Sequence, residues 1–184
     1  EFSMLFPQEH PFLSALDSRY WNKDAATYLS DEATLNYRLR VETALATILT
    51  RRGICKAHVG KEITDACKLI SLADVRTEEE RVHHDVRALV NCLRSRVALM
   101  RDRTHTSTAT SADIVDTARI LSFKDVANHV LIPTLKQLLT TLITLLRREV
   151  HTVQIGRTHG QHAVPLTFGL VNAGYVSRLG SCIT

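Results

Sequence analysis

The densest group of chemically active side chains lies in residues 156–162, which read G-R-T-H-G-Q-H. Two glycines allow a backbone to come close to a ligand, and a cation, a hydroxyl and an imidazole lie between them. A simple turn does not require this combination, so the segment predicts a binding or catalytic loop. His159 and His162 have the spacing of a metal pair, but no carboxylate or cysteine lies nearby, and we expect no metal site.

Arg19 and Tyr20 form a second polar group near the start of the chain. A guanidinium offers a planar fork of donors and the phenol adds one more, which together suit a phosphate. The alternative is a surface arginine beside a half-buried tyrosine, and the spacing alone favours that alternative.

Two further groups lie where helices are expected to begin. His83, His84 and Asp85 combine imidazoles with a carboxylate that could fix a tautomer or bind a ligand hydroxyl; alternatively they form a solvated helix face. Thr110 and Ser111 precede a helical pattern, whose free N–H groups suit a carboxylate ligand. The alternative for this pair is plain N-capping, and taken alone each group favours its structural alternative.

Several enzyme classes are disfavoured by the motifs that the sequence lacks. It contains no G-x-S-x-G, P-loop or G-x-G-x-x-G pattern, which argues against such serine hydrolases, P-loop nucleotidases and dinucleotide enzymes. The cysteines at 55, 67, 92 and 182 form no C-x-x-C pair, so we interpret them as reduced thiols in a cytoplasmic protein. No signal peptide is visible, and residues 1–4 resemble a cloning remnant with a start methionine.

Composition indicates a helical protein. Hydrophobic residues make up 45% of the 184 residues, while Gly (7) and Pro (4) are scarce, which favours long helices over disordered or collagen-like structure. We expect no membrane partner, because no apolar run approaches the ~18 residues of a membrane span. The net charge of +4 is dispersed among acidic residues, so a small anionic ligand is a better partner than nucleic acid.

The periodicity predicts mostly helices connected by short polar segments. Residues 5–29 are expected to be an irregular lead-in, and Pro133 is expected to kink or restart the helix that contains it. The predicted elements are a helix from Ser30 to Gly53, a shorter helix around Ile63 to Ile70, a long helix opened by a Thr77-x-x-Glu80 capping box and reaching Met100, a helix over 111–149, an extended segment at 150–155, a loop at 156–165, and a final helix from near Leu166 that Gly180 could cap.

Four motifs occur in one order along the chain. Residues 156–169 read G-R-T-H-G-Q-H-A-V-P-L-T-F-G, residues 110–118 read T-S-A-D-I-V-D-T-A, residues 84–86 read H-D-V, and residues 14–20 fit S-x-L-x-x-R-Y. Together they resemble the fumarase/aspartase superfamily of lyases, and in particular its adenylosuccinate lyases. The resemblance runs from about residue 12 to the end.

The resemblance implies an all-α fold and a homotetramer without metal or organic cofactor. An amino-terminal helical domain would occupy residues 5–109, and residues 110–184 would form the first part of a long central helical bundle. Members of the family are well over twice this length. Their later loop, S-S-x-M-P-x-K-x-N, carries a serine that acts as general base, and it has no match here; we therefore expect this piece alone to be inactive.

The implied reaction is a β-elimination in purine nucleotide synthesis. Adenylosuccinate loses fumarate to give AMP, and the succinyl-carboxamide ribotide is cleaved in the same way. The resemblance assigns phosphate binding to Arg19 and Tyr20, and a catalytic role to His159 as general acid. By motif position, it places His84, as a second catalytic residue, and Asp85 in the nucleotide and succinyl pocket. Thr110 and Ser111 would bind a substrate carboxylate. Thr158 and Gln161 would contact the succinyl end.

The sequence departs from the family pattern in the segment before Thr110. Thr106 stands where the family has a histidine, and His105 lies one place earlier, so His105 is a weak candidate. Ser18 replaces the usual glycine before the arginine. Two alternatives remain: another lyase of the superfamily, of argininosuccinate or carboxymuconate type, which the Arg19-Tyr20 motif disfavours, or a non-catalytic helical oligomerisation module.

Overall fold

The computed structural model describes residues 19–97 and 109–183. The chain divides into two compact units, one ending at Asp125 and the other beginning at Val126. The elements, in chain order, are α1 (Lys23–Leu29), α2 (Asp31–Arg51), α3 (Ala57–Cys67), α4 (Leu72–Val82), α5 (Asp85–Arg96), α6 (Ser111–Val126), a π-helical segment (Ala127–Leu131), α7 (Ile132–Arg148), β1 (Val153–Thr158), β2 (Gln161–Thr167) and α8 (Phe168–Ile183). The predicted all-α class is confirmed, with one small hairpin added. The predicted domain boundary at residue 109 stays a prediction.

Helix α2 forms the centre of the first unit and begins where the sequence predicts. The Ser30 hydroxyl accepts from the Ala33 N–H at 3.2 Å, which caps the helix, and acidic residues fill its first turn. The helix ends at Arg51, and Gly53 follows with a φ of 71°. The predicted lead-in over 5–29 is wrong for Lys23–Leu29, because the Asn22 side chain accepts from the Ala25 N–H at 2.8 Å and starts α1.

The core of the first unit is built from the apolar faces of α2 to α5. Its most completely buried large side chains are Ile63 of α3 and Leu89 and Leu93 of α5. The face predicted around Ile63 is confirmed, although Ile70 lies just beyond the end of α3. Burying such side chains is the main favourable contribution to folding.

The long helix predicted from Thr77 to Met100 is wrong. Its first part belongs to α4, which begins at Leu72, five residues earlier than Thr77, after a capping box formed by Ser71 and Asp74. The Asp74 N–H donates to the Ser71 hydroxyl at 3.2 Å, and the Ser71 N–H donates to the Asp74 carboxylate at 2.9 Å. Helix α4 ends at Val82, His83 follows as its C-cap with a φ of 53°, and α5 starts anew at Asp85. Met100 lies outside the described residues.

Helix α6 is joined to the first two helices by polar contacts. The Ser122 hydroxyl donates to the Tyr28 carbonyl at 2.7 Å, and the Tyr37 hydroxyl donates to the Asp125 carboxylate at 2.7 Å. Burial, together with the Asp125 carboxylate, raises the pKa of Tyr37 to about 12. The phenol therefore keeps its proton and remains a donor at all ordinary pH values.

Pro133 interrupts the regular helix, as the sequence predicts. It stands at the second position of α7, and the residues before it form a π-helical turn. The Ile132 N–H bonds the Ala127 carbonyl, five residues back, instead of the carbonyl four residues back. Because proline has no N–H and its ring clashes with the preceding turn, the wider turn accommodates it.

The expectation that no apolar segment approaches the length of a membrane span needs correction. Helical structure is continuous over Ser111–Arg148, and an 18-residue window within it reaches a mean hydropathy of 1.4 with at most two charged residues. The sequence hides this window because threonines and Lys136 interrupt each apolar run. Along α7, Leu135, Leu142 and Leu146 lie on the less exposed face and the polar residues lie opposite. This amphipathic pattern differs from the all-round apolar surface of a membrane-spanning helix.

The second unit contains α7, α8 and a two-stranded antiparallel sheet. The strands pair from Val153 opposite Thr167 to Thr158 opposite Gln161, with a bulge between Ile155 and Arg157. The loop predicted at 156–165 is therefore wrong, because much of it is the hairpin. Pro165 is compatible with β2, because each strand of a two-stranded sheet is an edge strand.

Helix α8 packs closely against the end of α7. A Cβ added at Gly169 would lie 2.7 Å from the Cα of Val150, so a side chain at this position would clash with the backbone. The Gly169 N–H donates to the Glu149 carbonyl at 3.0 Å. The final helix starts within two residues of the predicted position, but it continues through Gly180 to Ile183, so Gly180 is not its cap.

We predict that Leu89→Ala lowers the free energy of unfolding by about 2–5 kcal/mol, because it leaves a cavity in the core of the first unit. Leu69→Ala is the matched control, since the Leu69 side chain is 68% exposed, and it should change stability by less than about 0.5 kcal/mol. Urea denaturation of the three proteins measures both values. Equal losses in the two variants would contradict the described core.

Glu42 is an acidic side chain within this apolar environment and is only 4% exposed. Burial raises its pKa from the ordinary 4.5 to about 7. A folded-state pKa above the unfolded one means that the folded protein holds the proton to higher pH. The contribution of Glu42 to stability is therefore fully present below pH 4.5 and is lost as the pH rises to about 7.

We predict that raising the pH from 4 to 8 lowers the unfolding free energy of the wild type by about 3 kcal/mol relative to Glu42→Gln, which cannot ionise. Denaturant titrations of both proteins across this pH range measure the difference. Parallel curves for the two proteins would show that Glu42 ionises normally in the folded state.

Candidate functional site

The structure describes all nine predicted site residues and divides them between the two units. The first unit holds Arg19, Tyr20, His84, Asp85, Thr110 and Ser111, and the second holds Thr158, His159 and Gln161. His105 and the loop around it lie outside the described residues. Each group is considered within its own unit.

His84 and Asp85 lie at the break between α4 and α5. His84 is the N-cap of α5, and its Nδ1 accepts from the Arg87 N–H at 3.4 Å. Because Nδ1 accepts this bond, we assign the proton of the neutral ring to Nε2, which can then donate to a ligand. The left-handed backbone at His83 ends α4 and places His84 at the start of α5. The capping role of His84 differs from the solvated helix face that the sequence offers as the alternative to a binding site.

Asp85 is held by a residue that the sequence motifs do not identify. An Arg38 nitrogen lies 2.8 Å from the Asp85 carboxylate, and the Val86 N–H donates to the same carboxylate at 2.7 Å. Partial burial raises the pKa of Asp85, but the Val86 N–H and the Arg38 guanidinium outweigh it and leave the pKa below its ordinary value. Asp85 is therefore an anchored anion. Arg38 is far away in sequence, so no local pattern could have predicted the pair.

Of the two roles that the sequence leaves open for Thr110 and Ser111, the structure shows the capping role for Thr110. The Thr110 N–H donates to the Asp113 carboxylate at 2.8 Å and its hydroxyl does so at 3.2 Å, so Thr110 has a capping role. Ser111 is the exposed first residue of α6, and its hydroxyl makes no hydrogen bond to any residue that the structure describes. The first-turn N–H groups of a helix lack intrahelical partners. The anion-binding role of Ser111 stays a prediction.

The starts of α5 and α6 lie at one cavity of the first unit. The cavity has a volume of about 50 Å³, enough for at least one water molecule. Its lining residues are Glu42 and Leu45 of α2, Val86 and Val90 of α5, and Ala109, Thr110, Ser111 and Ile114 at the start of α6. Two motifs that are separate in sequence are thus brought together. Glu42, which the motifs also miss, forms part of the wall.

Arg19 and Tyr20 lie at the beginning of the described chain, just before α1. Tyr20 is 76% exposed. The hydrogen bonds and ion pairs among the described residues do not join either side chain to the other predicted residues of this unit. Their role in binding phosphate stays a prediction.

His159 lies at the tip of the hairpin in the second unit. Thr158 and Gln161 pair with each other, and the turn between them consists of His159 with a φ of 52° and Gly160 with a φ of 74°. Two positive φ values in succession define a tight turn of type I′, which favours glycine at the second position. The turn holds the His159 imidazole exposed between Thr158 and Gln161, as an accessible proton donor or acceptor.

The two units thus present different chemical groups. The first offers donors to an anion from the start of α6 and from His84, beside the anchored carboxylate of Asp85. The second offers an exposed imidazole flanked by a hydroxyl and an amide. An elimination next to a carboxylate requires a base, an acid for the leaving group and donors that bind the carboxylate, and the two units offer groups of the last two types.

Comparison with known proteins relates this arrangement to lyases. An adenylosuccinate lyase of Pyrococcus abyssi is 34% identical over 166 residues, which cover 89% of this chain and 36% of that protein. An adenylosuccinate lyase of Methanocaldococcus jannaschii is 33% identical over 157 residues, which cover 84% of this chain and 34% of that protein. The chain therefore spans about a third of the length of these relatives.

The fold is also similar to solved structures. The crystal structure of β-carboxy-cis,cis-muconate cycloisomerase from Acinetobacter calcoaceticus matches with a TM-score of 0.78 and 25% identity, over 92% of this chain and 41% of that chain. A family model described as lyase matches residues 19–182, which is most of the sequence. The chain therefore belongs to this lyase family.

Proposed function

We propose that the full-length protein is an adenylosuccinate lyase, which eliminates fumarate from adenylosuccinate and from the succinyl-carboxamide ribotide. The observation that carries the proposal is the hairpin of the second unit, where the G-R-T-H-G-Q-H motif folds into a tight turn with His159 at its exposed tip. The similarity to adenylosuccinate lyases over most of the chain supports the choice of substrate.

The reaction breaks a C–N bond in an elimination. A base removes a proton from the carbon next to a carboxylate, the electrons of that C–H bond form the double bond of fumarate, and the nitrogen leaves with a proton from an acid. In the proposed site, His159 supplies that proton as imidazolium. Donors that bind the carboxylate stabilise the negative charge that develops on it.

Anion binding is assigned mainly to the first unit. Ser111 and the start of α6 would bind a carboxylate of the succinyl group, with Thr110 holding the cap. His84 would donate from Nε2 within the nucleotide and succinyl pocket and assist catalysis. Asp85, fixed by Arg38, would accept from substrate hydroxyl groups.

The remaining assignments concern the phosphate and the succinyl end. Arg19 and Tyr20 would bind the phosphate, and Thr158 and Gln161 would contact the succinyl group beside His159. The net charge of +4 suits an anionic nucleotide. We further propose that the full-length protein acts in the cytoplasm as a homotetramer without a cofactor.

An activity panel on the full-length protein tests the substrate. We expect fumarate release from adenylosuccinate, measured by its ultraviolet absorbance, and no comparable turnover of argininosuccinate or β-carboxy-cis,cis-muconate. The muconate is included because a cycloisomerase is among the similar folds. Turnover of either alternative in place of adenylosuccinate would refute the proposed substrate, and inactivity on all three would favour a non-catalytic module.

We predict that His159→Asn in the full-length protein lowers kcat about 100-fold or more, because asparagine cannot donate the proton that imidazolium supplies. Asparagine tolerates a positive φ, so the turn and the thermal stability should be retained. His83→Asn is the matched control, since His83 has a φ of 53° but no proposed contact with substrate. Similar kcat values for the wild type and His159→Asn would exclude His159 as the general acid.

A further inference from the structure

Glu42 occupies a position that neither the fold nor the proposed reaction explains. It lies in the middle of α2, is 4% exposed, and forms part of the cavity wall at the start of α6. Its carboxyl group makes no hydrogen bond or ion pair with the residues that the structure describes. Burying a carboxyl group costs free energy, so the position of Glu42 next to a predicted carboxylate site suggests a function.

Over residues 19–97 and 109–183, no cationic group is paired with Glu42. On α2 itself, Arg38 lies one turn earlier and is engaged with Asp85. From α3, the Cys67 thiol is close enough for Glu42 to contribute to the raised pKa of that thiol, after the larger effect of burial. The described residues that line the cavity with Glu42 are apolar or uncharged, namely Leu45 from α2, Val86 and Val90 from α5, and Ala109, Thr110, Ser111 and Ile114 at the start of α6.

We propose that Glu42 is a positioning residue that controls, through its charge, the binding of a substrate carboxylate at Thr110 and Ser111. When the Glu42 carboxyl is protonated, the start of α6 is free to attract the carboxylate of the substrate. When it is ionised, a negative charge in the wall of the same cavity opposes that carboxylate. The inference rests on the proposed function for the identity of the substrate.

Two physical arguments support this role. Like charges that line one small cavity repel strongly, because the surrounding apolar side chains provide little screening. A repulsion of this kind changes affinity by about tenfold. Independently, burial raises the pKa of Glu42 to about 7, so the change of charge falls within the range where cytoplasmic enzymes act.

The test compares the pH dependence of binding in the full-length wild type, Glu42→Gln and Glu32→Gln. Glutamine keeps the shape of the side chain but cannot ionise, and Glu32 is an exposed residue on the same helix. Fumarate is the probe, because its two carboxylates stay ionised from pH 6 to 8.5 whereas a nucleotide phosphate titrates near pH 6. Isothermal titration calorimetry gives the Kd at each pH.

We expect the wild-type Kd to weaken about tenfold between pH 6 and 8.5, and the same change for Glu32→Gln. For Glu42→Gln we expect a Kd that stays constant over this range. KM for adenylosuccinate should follow the same pattern, with kcat affected less. Parallel pH profiles for wild type and Glu42→Gln would overturn the proposal, as would the absence of fumarate binding in all three proteins.

Failure of this inference is distinguishable from failure of the proposed function. If the wild type does not turn over adenylosuccinate, the proposed function fails, yet the fumarate titrations still report whether Glu42 controls a carboxylate site. If turnover is observed and the titrations are parallel, only the role of Glu42 is refuted. Thermal unfolding of each variant at both pH values checks that the proteins remain folded during the measurements.

Discussion

At His83 the backbone adopts a left-handed conformation, with a φ of 53°, and this turn ends α4 two residues before α5 begins. A continuous helix would place His84 and Asp85 on a solvated face in mid-helix. The break instead makes His84 the cap of a new helix and sets Asp85 in its first turn, 2.8 Å from Arg38. The apolar face of α5, with Leu89 at its centre, then packs in the core of the first unit. Local chemistry and tertiary packing thus depend on the same residue.

The start of α6 explains why a carboxylate site can form next to a buried acid. Unpaired N–H groups at the start of α6 carry partial positive charge and attract anions. Glu42 lies at the same cavity and is destabilised by burial, which raises its pKa to about 7. The fold therefore carries a stability cost at the position where charge would control ligand binding. Such conflicts between stability and local chemistry are typical of functional sites.

Much of this arrangement could be predicted from the sequence where the signal is local. Ser30 and Gly53 bound α2 as expected, and Pro133 interrupts the long helix because it lacks an N–H. The break at His83 could not be predicted, because Thr77-x-x-Glu80 fits a capping box as well as Ser71 and Asp74 do. The sequence predicts a loop in place of the hairpin, because Pro165 and the polar residues around it resemble turn chemistry. The pairing of two edge strands is not visible in either strand alone. Arg38 and Glu42 acquire their roles from partners distant in sequence, so no local pattern reveals them.

The central claim is that the starts of α5 and α6 meet at one cavity and bind a carboxylate there. A crystal structure of the full-length protein with fumarate bound would test this claim most directly. The account predicts one fumarate carboxylate at the Ser111 hydroxyl and the first-turn N–H groups of α6, within reach of Nε2 of His84. Fumarate bound elsewhere, with those groups contacting only protein or water, would contradict it.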